Sequence, residues 1–150
     1  MKKLSLYVFL VLMFCNVGFA NDNDLTGIKL LCKETRSSKW LDIPFRTYEF
    51  INDFEISRNS LNSKELKITS RLLFYKADIR NVYLYYSKKK YEGHRKDGRV
   101  IERDTLNLLQ SQYKGVLASC SVVDKDTDLK KILQNELEII KSKILEKNKI

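Results

Sequence analysis

A period of two governs apolar and polar positions over most of residues 27–123, and a helical period takes over after Asp124. Period two puts successive side chains on opposite faces of a strand. Residues 27–35 read as a strand with Ile28, Leu30 and Cys32 on one face, followed by a polar turn at 36–39. Residues 43–51 are aromatic and β-branched, with Pro44 marking an edge or the start of a strand. A short strand is expected over 53–58 and a turn over 59–64. Three further strands are expected over 66–69, 71–76 and 81–87. In the last, Val82, Leu84 and Tyr86 oppose Tyr83 and Tyr85, so both faces need cover. Residues 88–98 form a charged connection ending in the tight-turn pair Asp97-Gly98. A final hairpin is expected from 100–109 and 116–123, turning near 110–115.

Beyond Asp124, Leu129, Ile132, Leu133, Leu137, Ile140 and Ile144 form one helical stripe. Lys130, Lys131, Gln134, Asn135, Glu138, Lys141 and Ser142 lie opposite it. The spacing predicts a helix over 126–146, capped by Asp126 or Thr127, with Glu138 and Lys141 paired at i,i+3. The stripe has no aromatic residue, which favours docking on the chain's own sheet over a membrane surface or a coiled coil. The expected fold is mainly β: an antiparallel sheet or small open barrel of about 6–8 strands, capped or covered by one amphipathic helix. Residues 21–124 form the β domain and 125–148 a C-terminal helix on the same domain.

The first 20 residues break this pattern. Lys2 and Lys3 precede an apolar run, and Gly18 and Ala20 supply small residues before the charged Asp22 and Asp24. That layout predicts a signal peptide over 1–20, since the run is short for a membrane-spanning helix. Cys15 lies inside the apolar run behind bulky Leu12, Met13 and Phe14, so it is read as part of the discarded segment. The expected location is periplasmic or secreted. Cleavage leaves 26 basic and 19 acidic residues, a net charge of +7. Such a surface suits an anionic envelope component or another exported protein as partner; nucleic acid is not expected.

Export changes the meaning of the two remaining cysteines. Cys32 and Cys120 lie on apolar faces, no CxxC is present, and a single pairing is available, so a structural disulfide is expected.

No residue pattern points to catalysis, a metal or a cofactor. His94, the single histidine, sits in the charged connection with no nucleophile motif such as G-x-S-x-G. One histidine and two bridged cysteines are too few for a zinc site. Glu49, Asp53, Glu55, Glu102 and Asp104 are scattered carboxylates. The candidate partner-binding loop is basic: Lys88, Lys89, Lys90, Arg95, Lys96 and Arg99, interleaved with Tyr91 and His94. Phosphate or lipid head groups are what such a run would hold. The aromatic residues Phe45, Tyr48, Phe50, Phe54, Phe74, Tyr75, Tyr83 and Tyr85 are read mainly as core, with a ligand cavity as the alternative.

Ile101-x-Arg103-x-Thr105-Leu106, the Tyr113…Cys120 strand, the Gly27…Cys32 segment and the lysine-rich tail resemble small uncharacterised exported proteins of marine alphaproteobacteria. In outline, a compact exported two-cysteine β domain is similar to the periplasmic inhibitors of c-type lysozyme. That pattern lacks the long terminal helix, and none of its inhibitory residues is matched here. The resulting expectation is a non-enzymatic binding or inhibitor-type module of the cell envelope. A lipocalin-like carrier of a small apolar ligand is the alternative, and an enzyme the second alternative.

Overall fold

A strand with one apolar face needs cover on that side only, and here the sheet supplies it by curling onto itself. The structure, a computed structural model, describes residues 24–35, 43–93, 98–111 and 114–148. The predicted signal peptide, the 36–39 turn, His94, Arg95 and Lys96 lie outside the described residues. Eight strands occur: β1 (Lys29–Glu34), β2 (Phe45–Phe50), β3 (Glu55–Asn62), β4 (Lys67–Ala77), β5 (Asn81–Tyr85), β6 (Arg99–Glu102), β7 (Asn107–Ser111) and β8 (Lys114–Val123). A short helix α1 (Lys88–Glu92) precedes β6, and α2 (Leu129–Lys147) ends the chain. Each strand pairs antiparallel with the next, and β8 pairs with β1, so the barrel is closed rather than open. Closure removes the free sheet edges that would otherwise need protection.

The hairpins explain themselves locally. Asn52, Asn62 and Asp78 each turn their side-chain oxygen onto the backbone N–H groups two and three residues ahead, at 2.7–3.0 Å. Short polar side chains do this readily, which is why they start turns. Chain direction then sorts the connections. The N-terminal segment and the β2–β3, β4–β5 and β6–β7 turns share the lower end. The β1–β2, β3–β4, β5–β6 and β7–β8 connections share the upper end, with α1 among them.

Three strand expectations need correction. Strand β3 continues through Asn59 and Asn62, where a turn was expected, because Thr47 and Ser70 pair with Asn59 across the wall. Strand β4 runs unbroken from Lys67 to Ala77, joining two expected strands. The expected strand over 100–109 is two strands, split by a turn in which Leu106 takes φ 55° and its N–H donates to the Glu102 carbonyl. In β8 the register shifts between Leu108 and Leu109, and Leu117 is the extra residue of the bulge. Gly98 is required where it stands: a Cβ there would lie 2.0 Å from the Leu84 carbonyl oxygen.

The main core lies inside the barrel. Leu30, Cys32, Ile56, Leu73, Tyr75, Val82, Leu84, Ile101, Leu108 and Ala118 are all buried in it. Phe50 meets Tyr75 edge-to-face at 4.8 Å, and Leu25 from the N-terminal segment joins at the lower end. Helix α2 lies outside, over β2, β3 and β4. Leu133 and Leu137 pack there with Leu61, Phe45, Leu66 and Ile68. The helix starts at Leu129, three residues later than expected, and its cap is Asp128 rather than Asp126 or Thr127. Its stripe is used up to Ile140, and Ile144 is exposed. Beneath it, the Asn59 side-chain amide donates to Thr47 Oγ1 at 3.3 Å, and the Ser70 hydroxyl donates to Asn59 Oδ1 at 2.6 Å.

A second outer cluster covers β4 and β5. Tyr91 of α1 lies 5.7 Å from both Phe74 and Tyr85, with Lys76 Nζ 4.5 Å from its ring centre. Tyr85 is buried as a result, so β5 is indeed covered on both faces.

Candidate anion site inside the barrel

The inward face of β2 reads Arg46, Tyr48, Phe50, and that of β3 reads Ile56, Arg58, Ser60. Register sets these against one another: Arg46 stands opposite Ser60, and Tyr48 opposite Arg58. Arg99 opens β6 on the same face as Ile101, opposite Leu84. Tyr86 follows β5 on the face of Val82 and Leu84. Alternation therefore puts Arg46, Arg58, Arg71 and Arg99, two tyrosines and a serine on the inward face of the barrel toward its upper end; Arg71 of β4, opposite Arg58, is exposed there, and the other three arginines are not.

Their contacts form one cluster. Arg58 Nη1 donates to the Tyr86 hydroxyl at 3.5 Å, and its guanidinium carbon lies 5.5 Å from the Tyr86 ring centre. The Arg99 guanidinium lies 5.9 Å from the same ring. Arg46 is 1% exposed. Burial pulls its pKa down, and the Arg99 charge pulls in the same direction against Tyr48, Glu34 and Tyr86. Tyr48 is fully buried; desolvation pushes its hydroxyl up, against the pull of Arg99 and Arg46. Among the described residues, Glu34 at the end of β1 is the acid acting on Arg46.

Partners are missing where they matter most. Among the described residues, Arg46 Nε, Nη1 and Nη2, Tyr48 Oη, Arg58 Nε, Ser60 Oγ and Arg99 Nη1 are buried with no hydrogen-bond partner. A buried arginine is ordinarily paired, because an unpaired buried charge is costly. The half-buried Arg99 adds repulsion to the cost of burying Arg46, and Arg58 meets Arg99 at the Tyr86 ring. An anion among them would supply acceptors and cancel that repulsion.

Two other depressions are less eloquent. A groove of about 570 Å³ between the start of α2 and the outer wall includes Lys29, but that ammonium already meets Glu49 at 3.7 Å and the Thr127 carbonyl at 3.0 Å. A cavity of about 200 Å³ at the lower end is apolar, lined by Leu25, Phe50, Leu106 and Val122 among others. The described residues contain no group of three or more His, Cys, Asp or Glu able to hold a metal ion.

The expected basic loop divides. Lys88, Lys89 and Lys90 sit on α1 at the upper end, Lys88 within 4.0 Å of Glu92. Arg99 turns away from them into the barrel. The sequence reading missed Arg46, Arg58, Tyr48 and Tyr86 as site residues. Their shared signal was parity, since each arginine falls on the apolar face of its strand.

Cys32 and Cys120 are joined by a disulfide, as expected, and Cys32 also stands opposite Arg46. Among the described residues no helix is long and apolar enough to cross a membrane. In comparison with known proteins, no family model, no curated protein and no solved structure matches this chain.

Proposed function

We propose that the protein is an exported binding module that takes the anionic group of a small molecule into the upper half of its barrel. The observation that carries this reading is the set of buried, unpartnered nitrogens on Arg46, with Arg58 and Arg99 beside it. The lipocalin-like alternative is thereby altered in one respect. The barrel is retained, but the ligand is negatively charged, because an apolar guest would leave the excess positive charge uncompensated. The lysines of α1 stand at the same end and raise the local concentration of anions. Export is supported by the disulfide, which persists in oxidising compartments.

The test is calorimetric titration of the oxidised protein, lacking residues 1–20, with benzoate, phenyl phosphate and benzyl alcohol at matched ionic strength. Saturable binding of either anion, absent for benzyl alcohol and lost in Arg46→Met and Arg99→Gln, is the expected result. If neither anion binds, or if benzyl alcohol binds as well as both, the reading fails.

A further inference from the structure

The arginines do not approach from one side. Arg46 projects from β2 and Arg99 from β6, four strands apart around a ring of eight, so they stand on opposite walls. Arg58 comes from β3, next to β2. A carboxylate is planar and has two oxygens; it is matched by a guanidinium fork in its own plane. A phosphoryl or sulfuryl group instead directs its three outer oxygens away from a tetrahedral centre, toward donors on several sides. The number of donors separates the two in the same way. Seven buried polar atoms lack a partner, and two of them are hydroxyls. Two oxygens with about four acceptor positions leave several of these unmet.

Charge gives an independent argument. Among the described residues the three guanidiniums are set against one acid, Glu34, whose charge acts on Arg46, an excess of two positive charges. A monoanion cancels one of them; a dianion cancels both.

Resting on the proposed binding of an anion, we infer that the bound group is a tetrahedral oxyanion carrying two negative charges: a phosphoryl or sulfuryl group, free or as a monoester. Leu73, Leu84 and Leu108, each at most 1% exposed, belong to the contiguous buried core on the lower side of the arginines. The remainder of an ester therefore points toward the upper end, past α1, and not down the barrel axis.

The experiment compares inorganic phosphate, sulfate, phenyl phosphate, dodecyl phosphate, acetate and benzoate, titrated into the oxidised protein at constant ionic strength. Phosphate and sulfate are expected to bind at least about tenfold more tightly than acetate, and phenyl phosphate to exceed benzoate by the same margin. Phenyl phosphate affinity should rise between about pH 5 and pH 7.5, as the second proton of a monoester leaves near pH 6, while sulfate affinity stays flat. Inorganic phosphate binding as tightly as phenyl phosphate makes the free ion the occupant; weaker binding makes it an ester, and both support the inference. Dodecyl phosphate exceeding phenyl phosphate tenfold would overturn the upward placement of the ester. Benzoate binding as well as phenyl phosphate would overturn the dianion and leave anion binding standing. Failure of every anion would remove both. Arg99→Gln, checked for native circular dichroism, keeps the comparison usable should Arg46→Met not fold.

Discussion

Cys32 and Cys120 stand directly opposite each other where β1 meets β8, and their disulfide joins the two strands that close the barrel. The bonded cysteines are 88 residues apart. Linking so long a loop restricts the unfolded chain, a contribution of about 4–5 kcal/mol in the chain-entropy treatment.

Replacing both cysteines by serine is therefore expected to lower the unfolding free energy by about 4 kcal/mol. Urea titration of the variant against the oxidised parent measures it. Amide exchange should accelerate first in β1 and β8. Uniform acceleration around the ring would mean that the seam is no weaker than the rest of the wall.

Arg46→Met should make the unliganded protein more stable, by about 1–3 kcal/mol, because a buried unpaired charge is exchanged for an apolar chain of similar length. Phosphate should reverse the order. At a hundred times its dissociation constant a ligand adds about 2.7 kcal/mol to the form that binds it, and only the parent gains. Denaturation curves of both proteins with and without phosphate test this directly. A parent already more stable than Arg46→Met in phosphate-free buffer would show that the guanidinium has an internal partner.

Alkaline pH provides a third prediction. Burial pushes Tyr75 up to about 12, its hydroxyl donating to the Asn52 carbonyl at 2.7 Å, and burial pushes Tyr48 up as well. A folded-state pKa above the unfolded value means that stability is fully present below about pH 10 and declines as pH rises toward the folded value. Urea midpoints measured from pH 8 to pH 11 should stay level at first and then fall. Tyr75→Phe should flatten the decline while lowering the plateau, since it also removes a hydrogen bond.

The docking of α2 is tested by two leucines on one helix. Leu133 is 0% exposed and Leu145 is 63% exposed. Leu133→Ala is expected to cost about 2–4 kcal/mol through transfer and cavity terms. Leu145→Ala should stay within about 0.5 kcal/mol of the parent. Equal effects from the two would detach the helix from the barrel wall.

Local chemistry was legible in the sequence. The helix declared itself through period and charge, and Cys32 and Cys120 through their apolar neighbours. The gaps left between expected strands at residue 52 and at 77–80 fall at real hairpins. The turn expected over 59–64 comes later, at 63–66, because polarity was taken for exposure. Asn59 is polar and buried, satisfied by Thr47 and Ser70 beneath α2, and none of those partners is near it in sequence. The site was hidden for a related reason. Arg46, Arg58 and Arg99 each carry a local mark, an arginine on an apolar face, but their meeting depends on which strand lies across the barrel from which. Ring size and register decide that, and both emerge only when the sheet closes. The α1 lysines, by contrast, cluster in sequence and drew the eye.

Strand β1 is among the first parts of the barrel to be made, and it must wait for β8. Its other neighbour, β2, is close at hand, but the ring is completed by a segment synthesised almost a hundred residues later. Contacts so distant along the chain form slowly, since the intervening length has to be gathered first. Until that happens the curled sheet has two raw borders and an unfinished interior, with the arginines still in water. Assembly of the arginine cluster and closure of the ring are thus one event.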